Sequence, residues 1–224
     1  MDSDLALLRL LQLASPGLPV GGFTYSQGLE WAVEAGWVRD TAGFASWQRE
    51  QIHDTLVHLD WPLLARLYQA CQVGDAEAFA RWSQFLLANR ETAELRLEER
   101  QRGAALARMI DGWQLGQDPA WRASLELTQL SGMAWLAAHW SIPLRQLALG
   151  HAFAWLEGAV MAGVKLVPFG QQAAQTLLRD LGTELPGVLD HALALSDDQL
   201  GGGLPLLAIA SSRHETQYTR LFRS

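Results

Sequence analysis

This sequence predicts an all-α fold, on three observations. Apolar residues recur at three- and four-residue spacing along nearly the whole chain, the period of one helix face. Helix-capping residues stand where several of those runs begin: Asp40, Asp75, and Asp118 before Pro119. Strand signals are thin, with no alternating run flanked by a hairpin dipeptide and few β-branched residues. The chain has 224 residues, 49% hydrophobic and 18% charged, enough apolar material for a substantial core. The expectation is a single helical-bundle-like domain of about ten helices over 1–195. A flexible Gly-rich loop, SDDQLGGGLP, follows at 196–205, and a C-terminal segment and tail at 206–224.

Taken in order, Leu5, Leu7, Leu8, Leu10 and Leu11 make a first helix whose apolar face is too broad for a surface position, which predicts that it is sandwiched. The stretch SPGLPVGGFT, Ser15 to Thr24, holds three glycines and two prolines and demands a special backbone. Thr24 and Gln27 have capping-box spacing, opening a helix through Ala35 that Gly36 ends. Asp40 and Asp75 each start a further helix. Asp118-Pro119 opens one running toward His139, and another spans Pro143 to Leu166. In that last helix Gly150, Ala154, Gly158 and Ala162 recur every four residues, a nearly bare face on which a second backbone fits closely, inside the fold or across a symmetric dimer.

Composition excludes several function classes. A net charge of −7 argues against a general nucleic-acid binder, which needs a basic stripe. The lone Cys71 excludes an internal disulfide and a Cys-rich zinc site. The start, MDSDLALLRLLQLAS, is acidic where a signal peptide is basic. The apolar stretch GAVMAGV stops at Lys165, short of the roughly 20 residues that span a bilayer. A cytoplasmic chain with no membrane role is expected.

Catalytic motifs are approached and missed. Gly17 and Gly22 have the frame of a phosphate loop, but Phe23 stands where lysine must meet the β- and γ-phosphates, and Pro19 removes a backbone donor. His214-Glu215 begins like a zinc-protease motif, yet Tyr218 replaces the second histidine. His53 and His58, five apart, point to different faces of an α-helix. No G-x-S-x-G elbow is present. Glu98 and Arg102, in ETAELRLEERQR, read as a solvated helix face. No cofactor or metal site is legible. The alternative is a helical enzyme with a Trp-lined pocket for a small molecule, suggested by ten Trp and by buried-looking His139 and His151. The tail, SSRHETQYTRLFRS, puts Arg213, Arg220 and Arg223 among Tyr218, Leu221 and Phe222, a composition suited either to anchoring a partner or to docking on its own domain.

Three stretches together, LASPGLPVGGFTYSQGLEWAVEAG, GVKLVPFGQQAAQ and ASSRHETQYTRLFRS, resemble the signatures of the urease accessory protein UreF family, in their order and over most of the chain. The resemblance implies an all-helical, non-catalytic protein that forms a homodimer and binds the accessory protein UreD (UreH in some organisms). It implies recruitment and regulation of the GTPase UreG, so that nickel is inserted into apo-urease. Carried over by that match, Tyr218, Arg220, Leu221, Phe222 and Arg223 form the UreD/UreH-binding tail. Pro19, Gly21, Gly22, Phe23, Tyr25, Glu30, Lys165, Gln171 and Gln172 form a UreG-facing or regulatory surface.

Overall fold

A computed structural model describes residues 3–116 and 118–224. The fold is all-α, and no strand occurs among the described residues. Its helices are α1 (Ser3–Ala14), α2 (Leu29–Glu34), α3 (Thr41–Glu50), α4 (Trp61–Val73), α5 (Ala76–Ala88) and α6 (Ala93–Gly112), then α7 (Pro119–Leu125), α8 (Gln129–His139), α9 (Leu144–Leu166), α10 (Gln171–Gly182), α11 (Leu185–Ala194) and α12 (Pro205–His214). A π-helical segment, Gln51–Asp60, joins α3 to α4. The core forms around α4, which packs on α5, α8 and α11, with α9 lying against α1 and α10. Trp61, Phe44 and Phe79 are the largest side chains fully enclosed there.

The three aspartate caps form as expected. Asp40 accepts from the Gly43 N–H at 2.8 Å, Asp75 from Ala78 at 2.9 Å and Asp118 from Ala120 at 2.9 Å. The Thr24–Gln27 capping box does not form. Thr24 Oγ1 instead donates to the Gly21 carbonyl at 2.8 Å, and the Gln27 amide is engaged by Glu98 and Trp155. The chain turns left-handed through Gln27 (φ 51°) and Gly28 (φ 77°), and α2 begins only at Leu29. Gly28 is required twice over: its φ is positive, and a Cβ there would lie 3.1 Å from that of Ala210 on α12.

The helix expected from Pro119 to His139 is broken in two. Thr128 restarts it as a buried cap, accepting from the Ser131 N–H at 3.1 Å while its hydroxyl meets that of Ser131 at 2.7 Å. Gly103 of α6 lets this connection pass, since a Cβ would come within 2.7 Å of the Glu126 carbonyl oxygen. The π segment overturns the reading of His53 and His58. In an i→i+5 register residues five apart stack along the axis, and His58 Nδ1 lies 3.0 Å from the His53 carbonyl.

Two further expectations fail on packing. α1 is not sandwiched: Ala6, Leu10 and Leu13 pack inward, while Leu5, Leu7, Leu8 and Leu11 are exposed. α9 is long and apolar enough to cross a membrane by length and composition alone, because the stretch ending at Lys165 continues an apolar run from Leu144. Its inward positions, among them Leu147, Leu156 and Val160, belong to the protein core. The small-residue face of α9 divides. A Cβ on Gly150 would strike Leu10 of α1 at 2.7 Å, whereas one on Gly158 would meet nothing within 4 Å.

Candidate functional site

The tail folds back across α2, α6 and α12. Glu30, in the first turn of α2 and only 8% exposed, accepts from the Leu221 N–H at 2.6 Å and the Phe222 N–H at 2.8 Å. Glu94, in the first turn of α6, accepts from Arg220 at 2.8 Å. Between these two carboxylates sits His214, fully buried at the end of α12: Nδ1 is 2.8 Å from Glu94 Oε2 and Nε2 is 3.2 Å from Glu30 Oε2. One turn further along α6, Glu98 receives the Ser224 hydroxyl at 3.0 Å, Gln27 at 3.1 Å and Arg102 at 2.8 Å. Glu98 is therefore buried, and the solvated face expected for this part of α6 is a docking face for the chain's own end.

The glycine loop is tied to the same tail. Ser26 donates through both its N–H and its hydroxyl to the Ser224 carbonyl oxygen, each at 2.6 Å, and the Arg223 N–H donates to the Thr24 carbonyl at 2.8 Å. The Tyr25 hydroxyl donates to Gln101 at 2.6 Å, with the Arg223 charge nearby. Burial raises the Tyr25 phenol above its ordinary range, with a smaller push from the Glu98 charge. Lys165 of α9 lies over the Phe222 ring, 5.1 Å from its centre. Thus Phe222 is 5% exposed, while Leu221 (63%) and Tyr218 (103%) face outward.

Beneath the loop lies a cavity of about 390 Å³, with Leu18, Val20, Phe23 and Met161 among its apolar lining and Gln51, Glu98, Arg102 and Gln129 among its polar lining. Of the tryptophans only Trp155 lines it, so no Trp-lined pocket exists there. His139 is exposed and stacked on Trp135, not buried. His151 is buried beside an ion cluster in which Arg90 bridges Asp60 and Glu99. Its Nδ1 accepts from the Trp61 indole at 3.2 Å. Burial, then the nearby Arg102 charge, lowers its pKa to about 4, so the ring is neutral. Among the described residues no three His, Cys, Asp or Glu side chains gather in a way that could hold a metal ion.

Several residues singled out from the sequence come together. Gly22, Phe23, Tyr25 and Lys165 line the cavity, and Glu30 holds the tail beside it. Pro19 and Gly21 shape the loop without lining the cavity, Gly21 in a left-handed conformation at φ 74°. Gln171 and Gln172 lie apart, exposed on the first turn of α10. Sequence reading missed Ser26, Glu94, Glu98 and His214 as tail contacts. His214 had drawn notice only as half of an incomplete metal motif.

A family model described as UreF matches residues 38–182. Over the full length of both chains, the sequence is 87% identical to the urease accessory protein UreF of Pseudomonas putida KT2440 and 85% identical to that of Pseudomonas entomophila L48. It is 57% identical over 217 residues, 97% of each chain, to the protein of that name from Klebsiella pneumoniae strain 342. The glycine loop and the tail lie outside the span matched by the family model but inside the full-length alignments.

Proposed function

This chain belongs to the UreF family of urease accessory proteins, and from that premise we propose that it works as a cytoplasmic, non-catalytic scaffold of urease maturation. It binds a UreD/UreH-type protein through the outward side of its tail, Tyr218 and Leu221 foremost. It recruits and regulates the GTPase UreG at the loop from Pro19 to Tyr25, and the assembly inserts nickel into apo-urease. Nickel is cargo of that assembly. The open half of the α9 face, where Gly158 meets no neighbour, suits a second copy in a homodimer.

One observation carries the reading: the two candidate surfaces are hydrogen-bonded to each other. A partner that grips Tyr218 and Leu221 acts, through Ser224–Ser26 and Arg223–Thr24, on the backbone of the loop. A scaffold needs such a link to make binding of one partner depend on another. The enzyme alternative lacks a comparable observation, since the Tyr25 and Ser26 hydroxyls at the cavity are already spent on Gln101 and on the Ser224 carbonyl oxygen.

The test is reconstitution. The full chain, mixed with UreD-type and UreG-type proteins, should give one co-eluting complex on gel filtration. Removing residues from Tyr218 onward should abolish the UreD-type contact while leaving helicity by circular dichroism intact. Folded partners that do not associate with the full chain would sink the reading.

A further inference from the structure

Buried glutamine is uncommon, and a buried amide ordinarily has its hydrogen-bond partners. Three glutamines break that rule together at the cavity beneath the glycine loop: Gln48 of α3, Gln51 at the start of the π segment and Gln129 at the start of α8. Each is 9% or less exposed. Gln51 Nε2 donates to Gln48 Oε1 at 3.4 Å, and among the described residues no other hydrogen bond reaches these three amides. The Gln48 NH₂, the Gln51 carbonyl oxygen and both ends of the Gln129 amide are therefore left to whatever fills the cavity. Gln51 opens a π-helical stretch, a register that recurs at functional sites.

The rest of the lining narrows what that occupant is. Glu98 and Arg102 are paired with each other at 2.8 Å, and the other two charged side chains at the cavity, Glu157 and Lys165, carry opposite signs. The wall as a whole offers an ion no net counter-charge for the water it would lose on entering. Leu13, Leu18, Val20, Phe23 and Met161 supply apolar surface. Ala154, Gly158 and Ala162, three of the four small residues spaced along α9, make one side nearly bare and leave width for a ligand. The volume of about 390 Å³ lies within the range of small-molecule pockets.

We infer that this cavity is a binding site for a small uncharged molecule with an apolar body and an amide-like head, a donor and an acceptor side by side. Such a head accepts from a glutamine NH₂ and donates to a glutamine carbonyl oxygen, satisfying groups that the protein leaves open. The apolar body displaces water from leucine, valine and methionine side chains. The site goes beyond the proposed function and does not depend on it, since no partner protein contributes to it.

The experiment is an NMR titration of the intact chain with hexanamide, using hexanoate and hexylammonium as charged controls of the same chain length. The side-chain NH₂ signals of the three glutamines and the Met161 methyl report on the cavity. Hexanamide should shift them saturably and bind at least about tenfold more tightly than either ion. Gln129→Leu should weaken hexanamide by about tenfold, the loss of hydrogen bonding to one amide, and leave hexanoate unchanged. Three results would overturn the inference. The first is that no probe moves these signals, which leaves the cavity to water alone. The second is an ion that binds as tightly as hexanamide, and the third is a Gln129→Leu chain that binds hexanamide as the wild type does. If that variant does not fold, the comparison of the three probes on the wild-type chain decides alone. A UreD-type or UreG-type protein that fails to bind counts against the scaffold reading only.

Discussion

Helix α6 carries two buried clusters of charge that use the same chemistry for different ends. Toward the interior, Glu99 shares Arg90 with Asp60, with contacts of 2.6 Å to Glu99 and 3.2 Å to Asp60. Toward the tail, Glu94 and Glu98 join Glu30 in holding His214, Arg220 and Ser224. The first cluster is locked among helices, because Asp60 closes the π segment and Arg90 lies in the short connection between α5 and α6. The second is completed by the last residues of the chain, whose Phe222 joins the core beneath Lys165. Buried charge is thus closed between helices in one place and by the chain's own last residues in the other, and the difference lies in which part of the chain completes the cluster.

The sharpest way to break that contrast is to remove the interior cation. Burial by itself would weaken the Arg90 charge, but Asp60 and Glu99 more than offset it and raise the guanidinium pKa. Arg90→Met strands both carboxylates in the interior and should cost about 3–5 kcal/mol, read as a lower urea midpoint. A wild-type midpoint would mean that the interior cluster does not hold the fold.

A smaller effect belongs to the neutral histidine beside that cluster. His151 titrates near 4 when folded, against an ordinary 6.5. The unfolded chain therefore binds a proton that the folded chain does not between those values, and folding stability falls as pH drops from 6.5 toward 4. The contribution is at most about 3 kcal/mol. Denaturant unfolding across that range should show a shallower acid slope for His151→Gln, whose side-chain carbonyl can still accept from Trp61. Equal slopes would remove His151 from the acid response.

What the sequence discloses follows the same division between local and distant causes. The aspartate caps depend on a side chain and an N–H a few residues away, and they are legible. The break at Thr128 was not, because Asp118-Pro119 announces a helix while nothing near Leu125 forbids its continuing. The cause is partly the close passage of α6 at Gly103. Thr24 and Gln27 have the right spacing for a capping box, but Glu98 and Trp155 claim the Gln27 amide from far along the chain. The tail site was half legible. Arginine and aromatic residues marked it as a docking segment, yet the partner found here is the chain's own Glu30, almost two hundred residues away in sequence. Glu98 and Arg102 carried the ordinary spacing of a surface pair, and only the distant contacts of Gln27 and Ser224 make Glu98 interior and leave Arg102 half-buried.

Tyr218 gives the finest division between the two kinds of site. It is fully exposed, whereas Phe222 four residues on is enclosed under Lys165. If the tail is a latch with one side turned inward and one outward, Tyr218→Ala should touch only the outward function. The denaturation midpoint should not move, and the Leu221 and Phe222 amides should keep their docked positions. Binding to a UreD-type protein should fall by about tenfold or more, the loss typical of an aromatic anchor removed from an interface. A variant that undocks the tail would show Tyr218 to be part of the latch itself. A variant that binds as wild type would move the partner's grip to Leu221 or away from the tail altogether.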